Sequence, residues 1–235
     1  MEVLDWLRTY LTPLDATALA FYFFVMVTYR SVTDRSTSFR QRNLVGAIQR
    51  QRVMWMHNMS RRDSRNMDIL LLGTVGQGNA FFASTTAIAI GGIAALMGSG
   101  ARAQIILEQL PMVARSNPVL WECKLLLIMA IFIFAFFKFA WAFRLSHYAA
   151  IMIGATPILK EDNVADCDAH AERAAGLAGL SAEHANGGLR AFYYAFAVLA
   201  WFFHPIVFML ATAWVVIILI RRDYFSRSLR LIAGP

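Results

Sequence analysis

Charged side chains are scarce in this chain of 235 residues: only 16% are Asp, Glu, Lys or Arg, whereas an average soluble domain has about 25%. This shortage argues against a water-soluble enzyme. The mean hydropathy is +0.51, and 58% of the residues are apolar. The apolar runs reach about 20 residues, which is enough to cross a hydrocarbon core of roughly 30 Å, so we expect the bilayer to be the solvent.

Cysteine is nearly absent, with only Cys123 and Cys167. Cys123 lies at the start of the third apolar run and Cys167 beyond its end, which predicts that they lie on opposite faces of the membrane and form no disulfide. The amino terminus also lacks the basic start of a cleavable signal peptide, because it contains Glu2, Asp5 and a single Arg8. We therefore expect the first apolar run to remain in the protein.

Motifs of catalysis and cofactor binding are missing as well. The glycines of GTVGQG, at residues 73–78, lie inside an apolar run, where backbone N–H groups face helices or lipid rather than phosphate. No nucleophile stands near a base at a recognised spacing. The sequence thus predicts no enzyme activity, no cofactor and no metal.

Four apolar segments predict an all-α, polytopic membrane protein that forms a single integral membrane domain. The predicted transmembrane helices cover about residues 14–29, 68–98, 119–143 and 191–220. The second segment is longer than a membrane requires, so we expect it to tilt or to project beyond the bilayer.

Basic residues are unevenly distributed outside these spans. The first loop has nine, the amino-terminal tail one, the second loop two, and the third loop and the carboxy-terminal tail four each. We expect a protein of the bacterial inner (plasma) membrane. For it the positive-inside rule predicts that the first loop lies in the cytoplasm and that both tails lie outside. The arginines of the carboxy-terminal tail oppose this orientation, and re-entry of residues 145–159 into the membrane would bring that tail inside.

Two loops are predicted to be amphipathic cytoplasmic helices. Residues 38–66 form a basic arm with apolar residues at spacings near three and four, which favours a helix on the inner membrane surface or one packed on the bundle. Residues 160–188 are Ala-rich and acidic, and Asn186, Gly187 and Gly188 are expected to end their helix. Because the basic arm adjoins an apolar span, we expect anionic lipid headgroups as its partner, and no nucleic acid.

A ladder of small residues follows the second span. Its members are Gly76, Ala80, Ala83, Ala87, Gly91 and Ala95. Residues four apart share a helix face, and small side chains let another backbone approach closely. We therefore predict a helix-packing seam, in a protein that acts by helix association as a homo-oligomer or as an accessory subunit of an inner-membrane assembly.

Polar residues inside the spans support a second hypothesis, a small channel or transporter. The candidate path consists of Gln77, Asn79, Ser84, Thr86 and Lys138. Hydrogen bonding between helices is the alternative explanation of such residues. Lys138 can extend its ammonium group to the headgroups or pair with a carboxylate, for which Asp68 is the candidate at a similar predicted depth.

Haem or metal binding is a third hypothesis. His204 lies in the middle of the fourth span beside Pro205, and Asp166 and His170 have the i, i+4 spacing of a metal-binding pair on one helix. The other histidines lie in loops or at span ends, which disfavours a bis-histidine haem. We therefore expect His204 to bond a backbone carbonyl and the acidic helix to face solvent.

A family resemblance rests on three segments: RNMDILLLGTVGQGNAFFASTTAIAIGGIAALMGS, FIFAFFKFAWAFRLSHYAAIMIGATP and NGGLRAFYYAFAVLAWFFHP. Together they resemble a family of four-helix membrane proteins of bacteria and plants, known as domain of unknown function 599. The matching residues are Asn79, Arg144, Pro157, Gly188, Arg190, Tyr193, Trp201 and Pro205. The resemblance covers most of the chain and implies its fold and membrane location, but no activity. His204 is not part of the pattern, which further weakens a cofactor role.

Overall fold

The computed structural model describes residues 11–35, 43–109, 113 and 117–233, and these contain helices and no strand. In chain order the elements are α1 (Pro13–Arg35), α2 (Leu44–Ser60), α3 (Asn66–Gly98), α4 (Ala101–Glu108), α5 (Pro118–Gly154), α6 (Val164–Leu199), a 3₁₀ turn (Ala200–Phe202), α7 (Pro205–Tyr224) and α8 (Arg227–Ala233). The predicted all-α class is confirmed. Residues 38–42 of the predicted basic arm lie outside the described residues.

Four segments of this described part are long and apolar enough to cross a membrane: Pro13–Thr33, Asn66–Gly98, Pro118–Gly154 and Pro205–Ile232. Large apolar side chains cover their outer surfaces. Phe24 is 70% exposed, Ile88 76% and Leu210 66%. Such a surface suits acyl chains and would be unfavourable in water, so the chain is a helical membrane protein, as predicted.

The fourth predicted span, residues 191–220, is divided in the structure. It contains the end of α6, the 3₁₀ turn and most of α7. Pro205 has no N–H group and disfavours helical geometry in the residue before it, so α6 cannot continue through it. In contrast, the expected helix end at Asn186, Gly187 and Gly188 is wrong, because α6 runs through all three.

The first of two compact units comprises Met1–Phe39, Thr86–Phe134 and Arg190–Arg222. Within it, Trp201 stacks on Phe208 with ring centroids 5.4 Å apart, and the guanidinium of Arg222 lies 5.9 Å from the ring centroid of Tyr193. The residues of α7 farther along the chain thus contact earlier residues of α6. The two helices therefore form an antiparallel hairpin that reverses at the 3₁₀ turn.

Helix α6 also runs antiparallel to α1 and α5 in this first unit. Trp201 bonds Asp15 near the start of α1, while Arg190 lies 5.3 Å from the ring of Tyr29 near its end. On α5 the aromatic pairs follow the same order. Trp121 contacts Phe202, and Phe132 contacts Phe192.

The second unit comprises Arg40–Thr85, Ala135–Leu189 and Asp223–Pro235. Its core joins Met56 and Met59 of α2 to Leu72, Ile153 and a row of small residues on α6: Ala171, Ala174, Ala175 and Ala178. These alanines leave room for α2 to approach, and Gln49 donates to the Ala175 carbonyl at 3.1 Å. Helix α8 packs against α2 in the same unit.

An ion-pair cluster adds to the contact between α2 and α6. His57 Nδ1 and an Nη of Arg61 lie 3.0 and 3.1 Å from Asp168 Oδ1. The His57 contact is the main reason that the pKa of Asp168 lies below its usual range, and the charge of Arg61 acts in the same direction. The acidic helix therefore binds the basic arm directly.

Candidate functional site

Trp201, in the 3₁₀ turn of the first unit, lies between a buried lysine and a buried aspartate and bonds both. The ammonium group of Lys124 donates to the Trp201 carbonyl at 3.1 Å, and the Trp201 indole donates to Asp15 Oδ1 at 2.7 Å. The exposed fractions are 2% for Lys124, 4% for Asp15 and 1% for Trp201. Trp201 thus bonds an ammonium group of α5 through its backbone carbonyl and a carboxylate of α1 through its indole N–H.

The reason for this arrangement lies in Pro205. In a continuous helix the Trp201 carbonyl would accept a hydrogen bond from the N–H of residue 205, and proline has none. Away from water, a backbone carbonyl without a donor is costly. Lys124 supplies the missing donor from another helix, and its Nζ also lies 5.3 Å from the Trp201 ring centroid, which is within cation–π range.

The acid of the cluster is held by the start of its own helix. Thr12 Oγ1 accepts from the Asp15 N–H at 3.1 Å, as an N-cap side chain does, and its hydroxyl donates to Asp15 Oδ2 at 2.5 Å. Glu108 of α4 adds a second negative charge near Lys124. The fixed carboxylate and this charge offset the buried ammonium.

Sequence reasoning selected Lys138 and missed Lys124 and Asp15. Lys124 and Lys138 both lie inside an apolar run, and Asp15 lies in the first turn of a span, so the sequence contained a signal at each of these positions. The pairing was not visible, because Lys124 and Asp15 reach Trp201 across 77 and 186 positions of the chain.

The predicted polar path does not gather on one side of α3. Asn79 and Thr86 are buried, while Gln77 and Ser84 are exposed. In the second unit Asn79 donates to Ser181 Oγ at 3.5 Å, and Ser181 Oγ lies 2.8 Å from Ser146 Oγ. The described bond of Asn79 therefore joins helices and does not line a path.

Lys138 is half-buried, and its aliphatic stem lies along Gly187 of α6, 3.5 Å from where a Cβ would stand. Asp68, the candidate carboxylate for a pair with Lys138, bonds elsewhere. Asp68 Oδ1 accepts from Trp55 Nε1 and from an Nη of Arg62, both at 2.7 Å. The alternative in which Lys138 pairs with Asp68 is therefore wrong, because both described bonds of Asp68 come from the basic arm.

The predicted small-residue seam has a covered half and an exposed half. Gly76 is buried, and a Cβ there would lie 3.6 Å from Ser146 Cβ; Ala80 and Ala83 are partly buried. Beyond them Ala87, Gly91 and Ala95 are exposed. The face of α3 that packs inside the chain is instead marked by a heptad: Leu72, Asn79, Thr86 and Ile93.

His204 is exposed, and its ring caps α7. The Ile206 N–H donates to His204 Nδ1 at 3.1 Å, and Pro205 occupies the first helical position, where an N–H would have no partner within α7 itself. The described bond of His204 is thus to a backbone N–H and not to the backbone carbonyl that was expected. His170 Nδ1 lies 2.9 Å from the Asp166 carbonyl oxygen, and no group of three or more metal-ligating side chains occurs among the described residues.

The remaining family-motif residues make contacts within a helix or between segments. Arg190 lies over Tyr29 and Arg222 over Tyr193, as described above. Arg144 donates from Nε to the Tyr148 hydroxyl at 3.3 Å. The Pro157 carbonyl, just beyond α5, accepts from Arg65 Nη2 at 2.6 Å.

Gly188 of α6 lies directly against an aromatic ring of α5. A Cβ at Gly188 would lie 2.6 Å from two ring atoms of Phe139, which is buried and stacks on Phe82 with centroids 5.2 Å apart. The glycine is thus required for packing and does not end the helix.

The acidic helix offers a test of pH dependence at His184. Burial, and then the charge of Lys138, lower the pKa of His184. The unfolded chain therefore binds the proton more readily, so stability is full above the ordinary histidine pKa of about 6.5 and decreases as the pH falls from there toward the lowered value. We expect His184→Gln to lose less thermal stability than wild type between pH 7.5 and 5.5. His170→Gln is the control, and equal losses in wild type and His184→Gln would contradict the prediction.

A bundle with four spans, an apolar outer surface and buried polar groups bonded between helices defines a helical integral membrane protein. The chain belongs to the family described as protein of unknown function, DUF599, whose family model matches residues 17–228. This confirms the resemblance found in the sequence. Comparison with curated proteins and with solved structures found no match.

Proposed function

We propose that this protein acts without catalysis, by association of two copies in the bacterial inner membrane through helix α3. The exposed half of the α3 seam carries the proposal. Only 11% of the apolar stretch of α3 is buried inside the chain, whereas 28% is buried in each of the other three spans. Helix α3 is thus the span with the most surface available to a partner.

Small residues make that surface suitable for another helix. In lipid the hydrophobic effect does not drive helices together, so association depends on close packing, which Gly and Ala permit. Ala87, Gly91 and Ala95 lie on one exposed face, and no atom lies within 4 Å of a Cβ placed on Gly91. A second copy offers the same face and can pack on it about a two-fold axis.

The mass of the detergent-solubilised protein tests self-association. We expect Gly91→Leu and Ala87→Leu to convert a dimer to a monomer, because the larger side chains separate the backbones. Gly78→Leu is the matched control, since Gly78 is also exposed on α3 with no atom within 4 Å of its Cβ position. A monomeric wild type, or variants with unchanged mass, would refute the proposal. A stoichiometric complex with a different protein would make the chain an accessory subunit instead.

A further inference from the structure

We propose that α2 and α8 form one basic layer on the cytoplasmic side of the membrane and that this layer binds the anionic lipid headgroups of that leaflet. The proposal is independent of self-association through α3. It assigns the carboxy-terminal helix to a side of the membrane and gives it a ligand.

The first step is the contact between α2 and α8 in the second unit. Two helices that lie outside the hydrocarbon core and pack directly against each other are on the same side of a bilayer. The adjoining residue Asp223 belongs to the same unit and is only 1% exposed. The first loop and the carboxy-terminal tail are therefore neighbours, whereas charge counting with four spans placed them on opposite sides.

The second step is the hairpin of α6 and α7 in the first unit. The end of α6 runs antiparallel to α1 and α5, and α7 reverses that direction, as the contacts of Trp201, Tyr193 and Arg222 demonstrate. The end of α6 thus adds a crossing that its composition conceals, because its first half is polar. One extra crossing returns the carboxy terminus to the side of α2.

The third step is the charge balance that results. The side of α2 then holds the nine basic residues of the first loop, the four of the third loop and the four of the carboxy-terminal tail. The other side holds the one basic residue of the amino-terminal tail and the two of the second loop. The arginines of the tail no longer conflict with the positive-inside rule.

The exposed residues of the layer combine arginine with large apolar side chains. In and beside α8, Arg227 and Arg230 are exposed, as are Phe225 at 74% and Leu231 at 76%. On α2, Arg50 is exposed near Met54, which is 55% exposed. Apolar side chains of this kind enter the acyl boundary while guanidinium groups bond lipid phosphate. This pattern favours a lipid surface over a soluble protein partner.

Cysteine labelling tests the side of each helix. In a Cys123→Ser/Cys167→Ser background, single cysteines replace the exposed residues Asn58 on α2, Ser228 on α8 and Ser99 between α3 and α4. We expect a membrane-impermeant maleimide to label intact spheroplasts at position 99 only, and positions 58 and 228 only after permeabilisation. Labelling of position 228 together with position 99 would overturn the proposal.

Lipid titration tests the ligand. Full-length protein is placed in phosphatidylcholine nanodiscs with increasing phosphatidylglycerol, and the midpoint of thermal stabilisation is measured. A surface arginine contributes about fivefold to anionic-lipid affinity. Arg227→Gln/Arg230→Gln should therefore raise the phosphatidylglycerol activity at the midpoint roughly 25-fold. Arg173→Gln, an exposed arginine of α6, is the control and should leave it unchanged. Equal midpoints for wild type and the double variant, or equal stability in the two lipids, would refute headgroup binding, as would a soluble protein that binds this face independently of lipid.

Discussion

Lys124→Met is expected to lower the free energy of unfolding by about 2 kcal/mol, because it removes a charged hydrogen bond and leaves the buried Trp201 carbonyl without a donor. Lys124 is the one described partner of that carbonyl, and Pro205 is the reason that the helix cannot supply another. The same substitution should therefore cost less in a Pro205→Ala background, where a helix that continues through residue 205 brings the N–H of the new alanine to the Trp201 carbonyl.

Equilibrium unfolding in mixed detergent micelles measures this double-mutant cycle. The two sites share a partner, so a coupling energy of about 1 kcal/mol or more is expected. Lys160→Met is the control. Lys160 is exposed, and its replacement should change stability by no more than about 0.5 kcal/mol. If Lys124→Met is equally destabilising with proline and with alanine at position 205, the lysine does not substitute for the missing N–H.

Gly188→Ala is expected to destabilise the protein by about 1–3 kcal/mol, as overpacking of a buried contact does. The added Cβ would lie 2.6 Å from the Phe139 ring, and Phe139 is fully buried, so the ring has little room to move. Alanine normally stabilises a helix relative to glycine by up to about 1 kcal/mol. The sign of the effect therefore distinguishes a packing requirement from helix propensity.

Gly176→Ala is the matched control on the same helix. No atom lies within 4 Å of a Cβ at Gly176, so this variant should be neutral or slightly more stable than wild type. Thermal unfolding with circular dichroism detection compares the two. A second variant, Gly188→Ala/Phe139→Leu, should regain part of the lost stability because leucine is smaller and more adaptable. Equal stability of Gly188→Ala and Gly176→Ala would show that α5 and α6 do not require a glycine at this contact.

Both predictions concern residues whose type was informative in the sequence but whose role was not. Gly188 matched the family pattern and was expected to end a helix, since glycine favours helix ends. Its role in packing depends on a Phe139 ring from another helix. Pro205 cannot give the Trp201 carbonyl the donor that a continuous helix would supply. The donor that satisfies this carbonyl lies on α5, which local sequence cannot indicate.

The division of the fourth span has the same origin. Composition alone makes residues 191–220 one apolar run, and length alone makes it a membrane crossing. The structure instead continues the polar helix α6 into the bundle, reverses the chain at the 3₁₀ turn, and begins α7 at Pro205 with His204 as its cap. The direction of each segment depends on its neighbours, such as Tyr29 beside Arg190.

The sequence by itself determined that this is an all-α membrane protein, where its apolar segments lie and which family it belongs to. Hydropathy, helical periodicity and motif spacing are properties of neighbouring residues, so the linear chain contains them in full. Only the tertiary structure decided that Lys124 and Asp15 meet at Trp201, that half of the small-residue seam stays exposed, and that α8 packs on α2. These contacts join residues far apart in the chain, and they depend on which helix faces meet once every segment has been placed.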